Sequence, residues 1–499
     1  GGIARAATIL DSLRRVHPGE VVAVDAGDLI QGDPFGSYFG RIDDRSPHPV
    51  IEAMNLAGYD VATPGNHEFN FGIGVLRRAI ASARFQYVSG NIIQLPSRRL
   101  ELPASTVVER NGVRVGVTGF TTPGVMVWDR ENVRDRMAVL PVLPAAEPIV
   151  RDLNRRADFT LVVIHSGMDG SSSFNEEGVG RENVAAQFAG LADRPDLVVV
   201  GHSHRQMTDS VINGVHFMQP RPYAQTLAIM KVVLVREGGA WRVASQRGEQ
   251  VDLAGVPVAP RIEAALAEAH SLVRTHDQAP IGQSLGRMSA ATARVEATPI
   301  INWVNEVQRS LTGADLSSTA PFDTRAAFPP GPIRRAQVAQ LYPYENTLRA
   351  IRISGDRLKA YLEQSARYFE VDRSGLVRLS DTIPGYNYDI VWGAEYAIDL
   401  SRPVGERIVG LSVRGKPVVA TDTFTMALNN YRQSGGGGFG MLAGLPQVYN
   451  KEENIRDLLV DDLLRRGRLD PAEFAAVHWR LLPEAAASEL TAPARPCRR

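Results

Sequence analysis

Cysteine is all but absent from these 499 residues: the only one, Cys497, is third from the end. An intrachain disulfide framework is therefore excluded, and no thiolate is available to a metal in the body of the chain. Long apolar runs are missing too; none approaches the roughly 20 residues that cross a bilayer. No stretch has the order of a signal peptide, and no internal repeat is visible. Nor is there an excess of one charge, since Lys+Arg and Asp+Glu are both 55. That balance argues against coating a nucleic-acid polymer or a membrane surface, and leaves room for a small anionic substrate. What is present is ordinary globular material, 44% apolar and 22% charged, in a length that calls for two domains.

Residues 1–255 alternate short apolar runs with loops and helical stretches. Val21–Val24, Val113–Phe120, Phe159–Ile164 and Leu197–Val200 read as buried strands, with helices such as Val50–Leu56 and Val75–Ala83 between some of them. Leu227–Val235 and Trp241–Val243 flank Glu237-Gly238-Gly239 as a closing hairpin. Residues 256–285, with a charged helix over 260–276, read as the passage between domains. Residues 286–485 change character: helices at Ile300–Leu311, Asp356–Phe369 and Ile455–Arg465 mix with strands at Leu348–Ile353, Ala394–Leu400, Ile408–Val413 and Thr423–Leu428, an α+β order. Residues 486–499 are small, polar and Pro-bearing and read as a disordered tail. At the other end, Gly1-Gly2-Ile3 runs straight into a helical pattern (Ala6, Ile9, Leu10, Leu13), as if an earlier element lay upstream.

Four short motifs in the first half carry the chemistry. They are Gly27-Asp28-Leu29-Ile30-Gln31-Gly32, Gly65-Asn66-His67-Glu68, Ile164-His165-Ser166-Gly167 and Gly201-His202-Ser203-His204. Each follows or interrupts a strand-like run and offers oxygen or nitrogen ligands from a Gly-bearing turn. Alone, each is better explained by turn chemistry. Together they place ligand-type residues repeatedly at strand ends, where open sheets build their sites. Carboxylate, amide oxygen and imidazole suit Mn, Zn, Fe, Co or Mg-type divalent ions. Asp28 is the candidate bridging carboxylate, Asn66 an amide ligand, and His165, His202 and His204 imidazole ligands.

The combination resembles the calcineurin-like metallophosphoesterases, whose motifs run Asp-x-His, Gly-Asp, Gly-Asn-His-Glu, His and Gly-His-x-His. The resemblance implies a β-sandwich flanked by helices, four layers α/β/β/α, with two divalent metal ions. Asp28, Asn66, His165 and His202 then complete one metal site, and Asp28 and His204 belong to the other. The Asp-x-His motif that would supply the rest is not in this sequence. The resemblance also implies that a hydroxide held between the ions attacks phosphorus in line. His67 is expected to face the departing oxygen. Where many nucleotidases of the family read Asn-His-Glu-Phe-Asp, with the Asp pairing to that His, this chain has Asn70.

The second half resembles the 5′-nucleotidase C-terminal domain through Tyr342–Leu348, Ile353–Asp356, Pro384–Asp389 and Leu428–Arg432 followed by Gly435–Gly438 and Phe439. A nucleobase needs flat apolar surfaces on both faces. Tyr386 and Tyr431 lie in loops and, by resemblance, clamp the base, with Tyr388 an alternative to Tyr386. Gly437, in the glycine run, lets backbone approach the sugar, and Arg325 falls where the family places a phosphate-binding Arg. The whole is similar to the 5′-nucleotidase / 2′,3′-cyclic-nucleotide 2′-phosphodiesterase family, with Asn70 and the tyrosine contexts favouring the cyclic branch. A monomeric, periplasmic or secreted protein acting on small nucleotides is implied. The rival readings are a thiosulfohydrolase of sulfur oxidation on the same domain pair, and a secreted nucleotide-binding protein without catalysis.

Overall fold

In the computed structural model, residues 2–172, 174, 176–372 and 375–491 are described. The chain divides into two compact units, Gly1–Val273 and Arg274–Arg499.

In the first unit, Phe159–His165 is buried at all seven positions, and its neighbours Leu197–Val200 and Val113–Thr121 pair with it in parallel. A strand covered on both faces reads as a continuous apolar run. Alternate side chains nevertheless serve different cores, as strand geometry requires. Val162 and Ile164 meet Val142, Ala146 and Val150 of the helix Val142–Arg156. Leu161 and Val163 turn the other way, onto Val61, Val88, Val117 and Leu197. That second cluster fills the space between the six-stranded sheet and a parallel three-stranded sheet of Val24–Asp25, Val61–Ala62 and Gln86–Tyr87. The outer face of the small sheet is covered by helices Pro49–Ala57 and Ile73–Ser82 through Ile51, Met54, Val75 and Ala79. Each fully buried Val, Leu or Ile in these clusters contributes about 1.5–3 kcal/mol. The expected α/β/β/α layering is thus present. The hairpin is longer than its sequence signal, Thr226–Glu237 against Ala240–Asp252.

The expected helix over 260–276 is two helices, Pro260–Ala265 and Ala267–Gln278, broken at Leu266. Ile262 and Leu266 pack on Ala4, Ala7, Ala53 and Ala57, so this passage is part of the first unit up to Val273.

The second unit is α+β. A mixed five-stranded sheet runs Ile390–Trp392, Leu316–Thr319, Thr423–Asn429, Thr347–Ser354, Gln447–Asn454. Helices Pro299–Thr312, Gly355–Ala366 and Ile455–Arg466 accompany it, and its core holds Trp303, Ile351, Leu358, Met426 and Leu459. The tail begins later than the sequence suggests. Glu484-Ala485-Ala486-Ala487 opens a helix, Glu484–Thr491, and Ala486 is buried in the domain core. Alanine has the highest helix propensity, and that outweighs the polar composition read as disorder. Residues 492–499, with Cys497, lie outside the described residues.

Candidate functional site

Each of the four motifs begins where a strand ends. Asp28 follows Val24–Asp25, Asn66 follows Val61–Ala62, His165 is the last residue of its strand, and His202 and His204 follow Leu197–Val200. Both sheets of the sandwich therefore deliver their C-terminal ends to one place. Asp28, His202 and His204 have φ of 64°, 72° and 55°. Such left-handed backbone costs a non-glycine residue roughly 1–3 kcal/mol and persists at functional sites held by their surroundings.

Two devices hold the loops together. The first is a pair of glycines: a Cβ on Gly27 would lie 2.2 Å from the Gly65 nitrogen, and one on Gly65 would lie 2.2 Å from Asp28 Oδ1. The Asp28 and Asn66 turns thus touch backbone to backbone. The second is Glu68, 1% exposed. Its carboxylate accepts from the backbone N–H of Asp28 (2.8 Å), Leu29 (2.5 Å) and Gly65 (2.5 Å). The final residue of the Gly-Asn-His-Glu motif is thereby a clamp on the Asp28 loop, a role its sequence position did not disclose.

Four of the predicted ligands converge. His165 Nε2 lies 3.0 Å from Asp28 Oδ2 and 3.1 Å from Asn66 Oδ1, and His202 Nδ1 lies 3.1 Å from the same Asn66 oxygen. The other ring nitrogens are already committed. His165 Nδ1–H donates to the Ala26 carbonyl at 2.6 Å. His202 Nε2–H donates to Glu182 Oε1 at 2.9 Å. A neutral imidazole committed at one nitrogen presents a lone pair at the other. With those tautomers the lone pairs of two imidazoles, an amide oxygen and a carboxylate face one another, an arrangement that a bound cation would satisfy. The donor set fits a borderline divalent ion, with each His oriented from behind as metal ligands are. Burial alone would raise the Asp28 carboxyl; the His165 and His67 rings outweigh it and hold it well below the usual range. Among the described residues, no group of three or more His, Cys, Asp or Glu side chains could hold a metal ion by itself.

His204 stands at the edge of the group. Its ring meets Tyr223 edge-on at 5.6 Å. Burial, with the nearby rings of His67, His202 and His165, pushes its pKa down to about 4. His67 receives a different treatment: its backbone N–H donates to Asp28 Oδ1 at 2.9 Å, and its Nδ1 lies 2.6 Å from Asn70 Oδ1. Asn70 in turn donates from Nδ2 to Asp129 at 2.9 Å. Glu182 and Asp129, both buried, were not legible beforehand. Each lies in an irregular stretch with no periodicity or motif to mark it.

In the second unit, Arg432 organises the predicted base site. It is 1% exposed and pairs twice with buried Asp389, at 2.7 and 2.9 Å. Its remaining N–H groups donate to the carbonyls of Tyr386 (2.9 Å) and Gly436 (2.5 Å). The loop of Tyr386 and the loop of Tyr431 are thus joined through one guanidinium. Gly437, at φ 74°, faces the same junction: a Cβ there would lie 2.1 Å from Asn387 Oδ1 and 2.5 Å from Arg432 Nη1. Tyr388 is no alternative to Tyr386, being 1% exposed and stacked on Tyr368 at 5.1 Å in the core. Arg325 is 84% exposed with its fork on Asp323, at 2.9 and 2.8 Å; binding a phosphate would require it to release that carboxylate.

Residues 1–206 match the family model of the calcineurin-like phosphoesterases, and residues 280–444 match that of the 5′-nucleotidase C-terminal domain. The 2′,3′-cyclic-nucleotide 2′-phosphodiesterase/3′-nucleotidase of Salmonella typhimurium is 29% identical, over 97% of this chain and 84% of its own length. The trifunctional nucleotide phosphoesterase YfkN of Bacillus subtilis is 27% identical over 97% of this chain, which spans only 37% of that protein. A candidate 5′-nucleotidase of Staphylococcus aureus, solved with alpha-ketoglutarate, superposes with a TM-score of 0.82 at 25% identity, covering 96% of this chain and 94% of that one.

Proposed function

Because the chain belongs to the calcineurin-like phosphoesterases that carry a 5′-nucleotidase C-terminal domain, we propose that it is a metal-dependent hydrolase of nucleotide phosphoesters, with 2′,3′-cyclic nucleotides and 3′-nucleotides as its preferred substrates. The carrying observation is the convergence of Asp28 Oδ2, Asn66 Oδ1, His165 Nε2 and His202 Nδ1 with their lone pairs facing one another. These residues would hold one divalent ion, and Asp28 and His204 would share in a second. When bound, the metals supply Lewis-acid stabilisation of the phosphoryl oxygens and a lowered pKa for the attacking water.

The chain's own part is position and proton transfer. His67 is fixed at Nδ1 by Asn70, which leaves Nε2 as its working nitrogen. With both ring nitrogens protonated, His67 gives its Nε2 proton to the departing ribose oxygen as the ester P–O bond breaks and a water oxygen takes its place on phosphorus; the ring is left neutral with its hydrogen on Nδ1, and the water's proton passes to solvent. Tyr386 and Tyr431, joined by Arg432, supply the surfaces on which a base stacks. Asn70 in place of an Asp supports the cyclic-nucleotide branch, as does the Salmonella relative's name. A periplasmic or secreted location is part of the same reading.

The test is an assay of the full-length protein with Mn²⁺ on 2′,3′-cyclic AMP, 3′-AMP, 5′-AMP and a thiosulfate-type substrate. Turnover of the cyclic diester above 5′-AMP is expected. Absence of phosphoester cleavage with any nucleotide refutes the reading, and thiosulfate turnover alone would establish the sulfur-oxidation alternative.

A further inference from the structure

Behind His67 stands a chain of side chains that ends on a buried acid. Asp129 is 7% exposed and sits at the junction of two short helices, Val125–Trp128 and Arg130–Val133. One of its oxygens, Oδ1, accepts from Asn70 Nδ2 at 2.9 Å and from Asn132 Nδ2 at 3.3 Å. Asn132 Nδ2 also lies 3.4 Å from the Asn70 carbonyl, tying the same residue at its backbone. With two amide groups donating to it, Asp129 Oδ1 acts as an acceptor; burial pushes the Asp129 carboxyl up to about 6, with the Asn70 hydrogen bond opposing.

An accepting Asp129 oxygen leaves the Asn70 amide one orientation. Nδ2 must face Asp129, so Oδ1 must face His67. An amide oxygen only accepts, so the His67 nitrogen 2.6 Å away must carry a hydrogen. We propose that Asp129 is a positioning residue for this site, fixing through Asn70 the ring orientation of His67, with the Nδ1 hydrogen held by Asn70 so that, in the doubly protonated ring, the Nε2 proton is the one available to the leaving oxygen. The inference rests on the phosphoester reading above. It also accounts for the residue type at position 70. An Asp there would set two carboxylates within hydrogen-bond distance, whereas Asn donates to one neighbour and accepts from the other.

The order of donor and acceptor can be reversed, and this gives the experiment. In the full-length protein, Asp129→Ala, Asn70→Asp and the swap Asn70→Asp/Asp129→Asn are compared on 2′,3′-cyclic AMP and on bis(p-nitrophenyl) phosphate. The nitrophenolate leaves without help, so only the nucleotide needs a well-placed proton. Asp129→Ala and Asn70→Asp should each lower kcat for the cyclic nucleotide by about 10²–10⁴ and for the aryl ester by less than about five-fold, with bound metal unchanged. The swap should restore the ratio of the two activities. Equal losses on both substrates, or a swap no better than Asn70→Asp, overturn the proposal. A second readout does not need turnover: the ¹⁵N-correlated NMR signal of His67 should report an Nδ1–H in the wild type and the swap, and lose it in Asp129→Ala. Persistence of that signal in Asp129→Ala also overturns it. Failure of the wild type to cleave any phosphoester would strike the phosphohydrolase reading instead, and leave the NMR result to decide the positioning.

Discussion

Removing the Asp389 carboxylate should unseat the base site and destabilise its domain together. Arg432 and Asp389 are 1% and 3% exposed. Burial alone would lower the guanidinium pKa; the Asp389 charge and hydrogen bonds reverse that and raise it. Tyr361 also donates its hydroxyl to Asp389 but keeps Ser318 as a partner, so Asp389→Ala strands chiefly the buried Arg432 charge. Deleting one member of such a pair costs about 3–5 kcal/mol. For a domain of this size each kcal/mol lowers Tm by about 2–4 °C, giving a fall of about 6–20 °C. Calorimetry of the whole chain should show the loss in the transition of the second unit only. The guanidinium would still bond the Tyr386 and Gly436 carbonyls but lose its anchor, so KM for nucleotides should rise with kcat little changed. A paired replacement, Arg432→Leu/Asp389→Leu, should recover most of the Tm, because apolar groups can substitute for buried ion pairs, while leaving KM high. A Tm fall below about 3 °C in Asp389→Ala, on the same scale, would refute the assignment of this pair as the anchor. So would a low KM in the double variant.

Three further outcomes are expected. Glu182→Ala frees the His202 ring and should weaken metal binding by about 10–100-fold in equilibrium dialysis, a typical cost of losing such an orienting group; unchanged affinity would count against it. Tyr431→Ala should remove about 1–3 kcal/mol of base stacking, read as a higher KM for nucleotides and an unaltered rate on bis(p-nitrophenyl) phosphate; an unchanged nucleotide KM would argue against a clamp. His48 is 1% exposed, its Nδ1 accepts from Val50 N–H at 3.3 Å, and burial pushes its pKa down to about 4. The folded state thus excludes a proton that the unfolded chain binds below about 6.5, so stability is fully present above pH 6.5 and falls toward pH 4, by up to about 3 kcal/mol. Urea melts at several pH values should show that slope, and His48→Asn should flatten it; an identical slope in the variant would refute the cause.

Two of the strands that bear ligands were legible because they are covered on both faces. Phe159–Ile164 and Leu197–Val200 appear as short runs rich in apolar and β-branched residues, and the structure ends them where the sequence did, within a residue. Val21–Val24 was less exact: only Val24–Asp25 pairs, and the preceding residues lead into the sheet without a ladder. Helices with a clear apolar stripe, such as Pro299–Thr312, were placed to within a residue or two. The ligand motifs were legible as types because a metal restricts the choice of donor atoms. What supports those donors was not. Glu182, Asp129 and Arg432 act by meeting atoms 20, 59 and 43–46 positions away in the chain, and no local rule of period or spacing connects such partners. Tyr386 and Tyr388 show the same limit. Both are aromatic, two apart in one loop, and only packing distinguishes the half-buried ring of Tyr386 from that of Tyr388, enclosed in the core.

The contact between Gly27 and Gly65 has a consequence for how this domain can change. Side chains determine most spacings between structural elements, and those spacings drift as cores are repacked over generations. Here the gap between the Asp28 turn and the Asn66 turn is a backbone-to-backbone distance with no side chain in it. Substitutions throughout the two hydrophobic layers can therefore raise or lower stability while the separation of the two turns stays the same. Selection on thermal tolerance and selection on chemistry can then act on different residues, with the glycine pair as the fixed ruler between them.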